Sequence, residues 1–288
     1  MATTTESPAT APVTAPPTSF AGVVPSIAAR NRLAGLVLMV VVFICGASVM
    51  TVEMSASRLL APYFGTSLFI WANLIGLVMV YLTLGYWLGG KLADRYPRAS
   101  LLYTITAIAG LAVGLIPGLS RPILSWSLTG FTQVSVGIFY GSLIGVILLF
   151  SVPLLLLGFV SPFAIRLRSV GIASAGGTAG QVSALSTLGS ILGTFIPTFF
   201  LIPYIGTAAT LYSAAAVLLV FSILGLVSTA NMRPAIYSVA MLLVVLGLAA
   251  FAPRGLVKPP ERGELIYERE SAYNYIQVVR EASAWRSC

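Results

Sequence analysis

The chain has 288 residues, of which 58% are hydrophobic and only 8% are charged. A soluble domain carries about 25% charged residues, so most of this chain is expected to face lipid. The net charge of +8 does not indicate nucleic-acid binding, because the basic residues lie at the ends of apolar runs, as in membrane proteins. With no histidine and two distant cysteines, Cys45 and Cys288, the sequence contains neither a metal-ligand cluster nor a disulfide framework, and we predict no cofactor.

A short polar tail precedes a long apolar region. Residues 1–29 are rich in Thr, Ala, Pro and Ser, which predicts a disordered N-terminal tail. Residues 30–253 are predicted to form a transmembrane helical domain, because a spanning helix needs about 20 mostly apolar residues. Seven segments meet that requirement: 33–54, 68–90, 101–119, 134–157, 182–205, 208–227 and 234–252. Pro153 and Pro162 are expected to bend the end of the fourth span, and Pro197 and Pro203 to kink the fifth.

The distribution of basic residues predicts an orientation. One side of the membrane would hold Arg30, Arg32, Lys91, Arg95, Arg98, Arg166, Arg168 and Arg233, whereas the opposite loops hold only Arg58 and Arg121. This pattern predicts that the N-terminus is cytoplasmic. Seven spans would then place the C-terminal segment outside, although it carries further basic residues. Either one span is miscounted or the tail is external.

Four spans contain glycines at four-residue spacing, which lie on one helix face and let two backbones approach closely. The pairs are Gly85 and Gly89, Gly110 and Gly114, Gly141 and Gly145, and Gly189 and Gly193. They are expected to pack the helices of one monomer; a homodimer through these faces is the alternative.

Glu53 is the only carboxylate within an apolar span and the first candidate for a binding residue. A carboxylate in a bilayer costs several kcal/mol unless it is paired, hydrated or protonated. It could bind a proton, a cation or an amine. Alternatively it is an interfacial residue paired with Arg58, which requires the helix to end or bend between them, because five positions is not a same-face spacing.

The fifth span adds a second set of polar residues. It is dense in Gly, Ser and Thr and begins near Gln181. Hydroxyl groups in helices usually bond their own backbone carbonyls, so close packing is expected, with a polar track facing Glu53 as the alternative. In the basic loop after the second span, Asp94 is expected to pair with Arg95 or Arg98.

The character of the chain changes after the seventh span. LIYERE and YNYIQVV alternate as strands do and are separated by a short polar turn. Residues 254–288 are therefore predicted to begin a soluble domain with a β-hairpin fragment. The predicted fold class is an all-α polytopic membrane protein of about seven helices followed by that fragment.

The order of SRLLAPYFGTSLFIW, GYWLGGKLADR, STLGSILGTFIPTFFLIPYIGT and YERESAYNYIQVV resembles the membrane-fused spermidine synthase-like proteins of bacteria. The resemblance covers about residues 33–280 and implies a multi-pass protein of the inner membrane. In intact relatives a soluble domain transfers an aminopropyl group from decarboxylated S-adenosylmethionine, as substrate, to an amine. Their Ser-x-Tyr-Gln type motif near the donor site corresponds to Ser271, Ala272, Tyr273 and Asn274, with Asn in place of Gln.

The rest of that catalytic domain is missing from the sequence. There is no Gly-rich turn after a strand to hold a nucleoside, and the only aspartate is Asp94. The resemblance thus implies the membrane domain of a spermidine synthase-like protein with a truncated catalytic region, not catalytic as it stands. Its candidate substrate-binding residues are Glu53, Arg58, Gln181 and Asn274, and a polyamine is the expected partner besides the lipid bilayer. The alternative is a small-molecule or polyamine transporter.

Overall fold

The computed structural model describes residues 32–129, 137–169, 172–251, 264–270 and 275–280. Within them, seven spans are long and apolar enough to cross a membrane. Each span is a single helix or a series of consecutive helical segments. A two-stranded antiparallel sheet follows them. The predicted all-α polytopic class with a short hairpin is confirmed. The predicted tail, residues 1–29, lies outside the described residues.

The first three spans are single helices, and each is longer than predicted. They are α1 (Arg32–Phe64), α2 (Leu68–Arg95) and α3 (Ala99–Thr129). In α1 the helix predicted to end at residue 54 continues as far as Phe64. Gly65 then ends the helix with φ = 82°, and its N–H donates to the Ala61 carbonyl at 2.9 Å. That left-handed conformation is one that glycine adopts without steric cost.

The fourth and fifth spans are both interrupted, at Phe159 and from Pro197, whereas Pro153 lies inside a continuous helix. The fourth consists of α4 (Gly137–Gly158) and α5 (Val160–Arg168), which meet at Phe159. Pro162 lies in the first turn of α5, where a missing N–H removes no helical hydrogen bond. The fifth consists of α6 (Ile172–Ile196), a π-helical turn (Pro197–Leu201) and α7 (Ile202–Ile205). The last two spans are α8 (Thr207–Ser228) and α9 (Met232–Phe251).

Helix α1 is central in the bundle. It packs extensively against α6 and α8 and also contacts α4, α3, α2 and α5. Helix α3 packs against α8, α4 and α9, while α2 packs against α4 and α5. The most hydrophobic stretch of α9 is only 17% buried within the protein, as suits a helix at the lipid-facing edge.

The four glycine pairs all face helices of the same chain. Gly85 and Gly89 face the junction of α4 and α5, Gly110 and Gly114 face α8 and α9, Gly141 and Gly145 face α3 and the end of α1, and Gly189 and Gly193 face α1. These contacts are what the packing interpretation predicts. A homodimer stays a prediction.

The two strands are β1 (Glu264–Glu270) and β2 (Tyr275–Arg280). They pair in antiparallel register, from Glu270 opposite Tyr275 to Glu264 opposite Arg280, with an irregularity between Leu265 and Tyr267. The alternation in LIYERE and YNYIQVV therefore predicted both strands correctly. The turn between them, residues 271–274, lies outside the described part of the chain.

Candidate functional site

Glu53 is buried inside the helical bundle rather than at its edge. Its side chain is 6% exposed, and it lies roughly 16 Å before the end of α1 at Phe64. Because the helix continues for three further turns, Glu53 lies within α1 and not at its end. A carboxylate that is buried in a protein without a partner is costly.

Among the described residues, the Glu53 carboxylate has no hydrogen-bond or ion-pair partner. The salt bridge that the described residues do form joins Asp94 and Arg166. An ion pair between Glu53 and Arg58 requires the helix to end or bend between them, whereas α1 runs continuously through both positions. Five residues correspond to a rotation of about 140° around the helix axis, so the two side chains leave α1 in different directions. Arg58 is half-buried.

The face of α1 that carries Glu53 also contacts the fifth span. Ser190 Oγ donates to the Gly46 carbonyl at 3.1 Å, and Glu53 follows Gly46 by seven residues, which is two turns on the same face. Thr51 Oγ1 donates to the Gly193 carbonyl at 3.3 Å. Helices α1 and α6 thus run parallel. Along the bundle, Glu53 lies about one turn beyond the level of Gly193, and the π-helical turn begins one turn after Gly193, at Pro197.

Proline chemistry explains the hydrogen bond between Thr51 and Gly193. In an α-helix the Gly193 carbonyl would accept from the N–H of residue 197, but Pro197 has none. Thr51 Oγ1 lies within hydrogen-bond distance of that carbonyl, at 3.3 Å, and of the Ala47 carbonyl, at 2.8 Å, so its single hydrogen is shared between the two acceptors. Beyond this point the backbone follows π geometry from Pro197 to Leu201, and this turn contacts α1. Such π-helical turns occur frequently at functional sites.

Two hydroxyl groups of the fifth span bond carbonyls of their own helix, as predicted. Thr194 Oγ1 donates to the Ser190 carbonyl at 2.9 Å, and Thr198 Oγ1 to the Thr194 carbonyl at 2.6 Å. These two hydroxyl groups help to hold the helix. The polar track that reaches α1 consists of Ser190 and the backbone near Gly193.

Gln181 lies at the other end of the fifth span, and the structure does not bring it to Glu53. It is exposed, and its Oε1 accepts from Arg168 Nη2 at 3.5 Å. The sixteen residues between it and Pro197 correspond to roughly 24 Å along the helix. The predicted set therefore separates into Glu53 at depth, Arg58 on another face of α1, and Gln181 beside Arg168. Asn274 lies outside the described residues.

Asp94 pairs with a different partner from those expected. Its Oδ1 lies 3.0 Å from Arg166 Nε, whereas Arg95 and Arg98 were predicted as partners. The ion pair joins the ends of α2 and α5, two of the termini that the distribution of basic residues assigns to one side of the membrane. Both side chains are more than half exposed, so the pair contributes at most about 1 kcal/mol.

The sequence interpretation missed two buried polar groups. Asn73 in α2 donates from Nδ2 to Ser142 Oγ at 2.9 Å and to the Phe139 carbonyl at 3.2 Å, which ties α2 to α4. An amide inside an apolar run could have signalled this contact. Ser55 Oγ is buried without a hydrogen-bond partner among the described residues, and a lone serine in a span gives no such signal.

The fold defines this chain as a multi-pass helical membrane protein with one buried acid in its first span. No family model, curated protein or solved structure matches the chain. Within the described residues no group of His, Cys, Asp and Glu side chains could hold a metal ion. The chemistry of the site therefore depends on the carboxylate, the hydroxyl groups and the backbone carbonyls around it.

Proposed function

We propose that this chain is the membrane domain of a spermidine synthase-like protein and that the Glu53 carboxylate binds an ammonium group of a polyamine. The observation that carries the proposal is the burial of Glu53 in a bundle without an ion-pair or hydrogen-bond partner among the described residues. An uncompensated acid at depth is costly. An ammonium group supplies both the opposite charge and three hydrogen-bond donors.

The helix that carries Glu53 also contacts an irregular part of the fifth span. The π-helical turn from Pro197 to Leu201 departs from the α-helical hydrogen-bond pattern and contacts α1. Backbone carbonyls and a carboxylate together are the acceptors that an amine requires.

The resemblance to spermidine synthase-like proteins supports the choice of a polyamine. It depends on the sequence motifs already described, and strands β1 and β2 fall where the start of the soluble domain is expected. Aminopropyl transfer itself is a property proposed for intact relatives, with decarboxylated S-adenosylmethionine as donor. We assign no catalytic residue to this chain.

We further propose a location in the bacterial inner membrane with the N-terminus in the cytoplasm. The ion pair between Asp94 and Arg166 supports the assignment of these two helix ends to the same side of the membrane, and the excess of basic residues there favours the cytoplasmic side. Lys91, Arg95 and Arg168 belong to the same set.

A polyamine transporter is the second candidate, and the interrupted fifth span favours it. Transporter binding sites are typically formed by discontinuous helices near the middle of the bilayer, and the π-helical turn contacts α1, the helix that carries the buried acid. Uptake of spermidine into sealed vesicles, lost in Glu53→Gln, would favour transport. Binding without uptake would favour a binding domain.

Equilibrium dialysis of radiolabelled spermidine against the purified full chain in detergent tests the proposal. We expect saturable binding that weakens at least tenfold in Glu53→Gln, because a hydrogen bond to a charged group contributes about 1.5–3 kcal/mol. Asp94→Asn is the matched control, since it removes the same charge from the exposed end of α2 and should leave the affinity within twofold. Equal affinities for the protein and Glu53→Gln, or equal losses in both variants, would contradict the proposal.

A further inference from the structure

A groove of about 500 Å³ lies between α1 and the fifth span, at the end of the bundle where Arg168 is located. Its walls are apolar except at that end. The lining side chains used below are Leu36, Met39, Val40, Phe43, Leu185 and Arg168. The four from α1 follow the spacing i, i+3, i+4, i+7, so they form one continuous helix face.

The close contact between α1 and α6 determines where the groove lies. A Cβ atom at Gly189 would collide with the Phe43 carbonyl, and one at Gly193 with the Ala47 carbonyl. The two backbones therefore approach most closely from Phe43 onward. Leu185 lies one turn before Gly189, beside the start of this contact. The space toward the basic end is left open between the helices.

The charged groups at this end are predominantly basic. Lys91, Arg95, Arg98, Arg166 and Arg168 face a single described acid, Asp94. The Asp94 carboxylate is engaged by Arg166 at 3.0 Å. Arg168 instead reaches the Gln181 side chain, whose amide NH₂ group can donate to a second ligand. A guanidinium and an amide thus lie beside the mouth of an apolar groove.

We propose that this groove binds one anionic phospholipid. The phosphate accepts hydrogen bonds from Arg168 and Gln181, because a guanidinium matches the geometry of phosphate oxygens. One acyl chain lies along the α1 face from Leu36 to Phe43. The basic excess at this end selects an anionic headgroup over a zwitterionic one. The site is separate from Glu53 and does not depend on polyamine binding.

Native mass spectrometry of the full chain with phosphatidylglycerol or phosphatidylcholine tests this site. We expect one phosphatidylglycerol to be retained in preference to phosphatidylcholine. Arg168→Gln should weaken phosphatidylglycerol binding about fivefold, the effect of one basic residue near the lipid surface. Arg98→Gln removes the same charge from an exposed residue at this end that does not line the groove, and it should change the affinity less than twofold.

A second variant tests the groove itself without a change of charge. Leu36 is 61% exposed, so Leu36→Trp should fill the groove without disturbing the core and should weaken phosphatidylglycerol binding at least fivefold. Equal losses in Arg168→Gln and Arg98→Gln would show diffuse attraction to the basic surface and overturn the proposal. Unchanged binding in Leu36→Trp, or no retained phosphatidylglycerol, would overturn it as well.

Discussion

Replacing Gly193 by alanine is expected to lower the free energy of unfolding by about 2 kcal/mol, the usual cost of forcing extra atoms into a packed core. The added Cβ would collide with the Ala47 carbonyl and lie 2.6 Å from Ala47 Cα. Because these are backbone atoms, no side-chain rotation relieves the contact. The helices must move apart, which also breaks the hydrogen bond from Thr51 to the Gly193 carbonyl.

Gly180→Ala is the matched control in the same helix. Nothing lies within 4 Å of a Cβ atom at Gly180, and alanine favours a helix over glycine by roughly 0.5–1 kcal/mol. The two substitutions should therefore change the free energy of unfolding in opposite directions. Thermal unfolding in a Cys288→Ser background can be followed by the reactivity of the buried Cys45 thiol. A stabilising effect at both positions would contradict the close contact between α1 and α6.

Glu53→Gln is expected to raise the free energy of unfolding by about 2 kcal/mol. The substitution keeps the shape of the side chain and removes a charge that has no partner among the described residues. An acid retained for binding lowers the stability of the protein, so its removal should stabilise the fold while it weakens spermidine binding.

Glu53→Asp separates the charge from the shape of the side chain. It keeps a carboxylate at the same depth, and it should give no such gain in stability. The measurement is again the unfolding temperature reported by Cys45 in the absence of polyamine. If Glu53→Gln instead lowered the free energy of unfolding by as much as it is expected to raise it, the carboxylate would have a structural partner. The binding proposal would then lose its main support.

The architecture could be predicted from the sequence because its signals are local. Apolar runs of sufficient length predicted seven spans, alternation predicted β1 and β2, and Pro162 and Pro197 indicated irregular helices in the fourth and fifth spans. Each of these patterns depends on properties of neighbouring residues, which a sequence contains directly. The glycine pairs likewise predicted close helix contacts without indicating the partners.

The details that failed depend on contacts between distant residues. The predicted end of α1 near Glu53 was wrong because the helix continues to Phe64 and neighbouring helices bury this acid. Asp94 was assigned to its sequence neighbours, whereas α5 brings Arg166 closer. The donation from Thr51 to Gly193 joins residues 142 positions apart, and no local pattern reveals it.

Labelling of Glu53 by an apolar carbodiimide, with and without spermidine, tests the central claim most directly. Such a reagent enters the bilayer and modifies carboxyl groups in apolar surroundings, and peptide mass spectrometry identifies the modified residue. We predict an adduct at Glu53 that decreases as spermidine is added and that is absent in Glu53→Gln. An adduct whose yield is unchanged by saturating spermidine would contradict amine binding at this carboxylate.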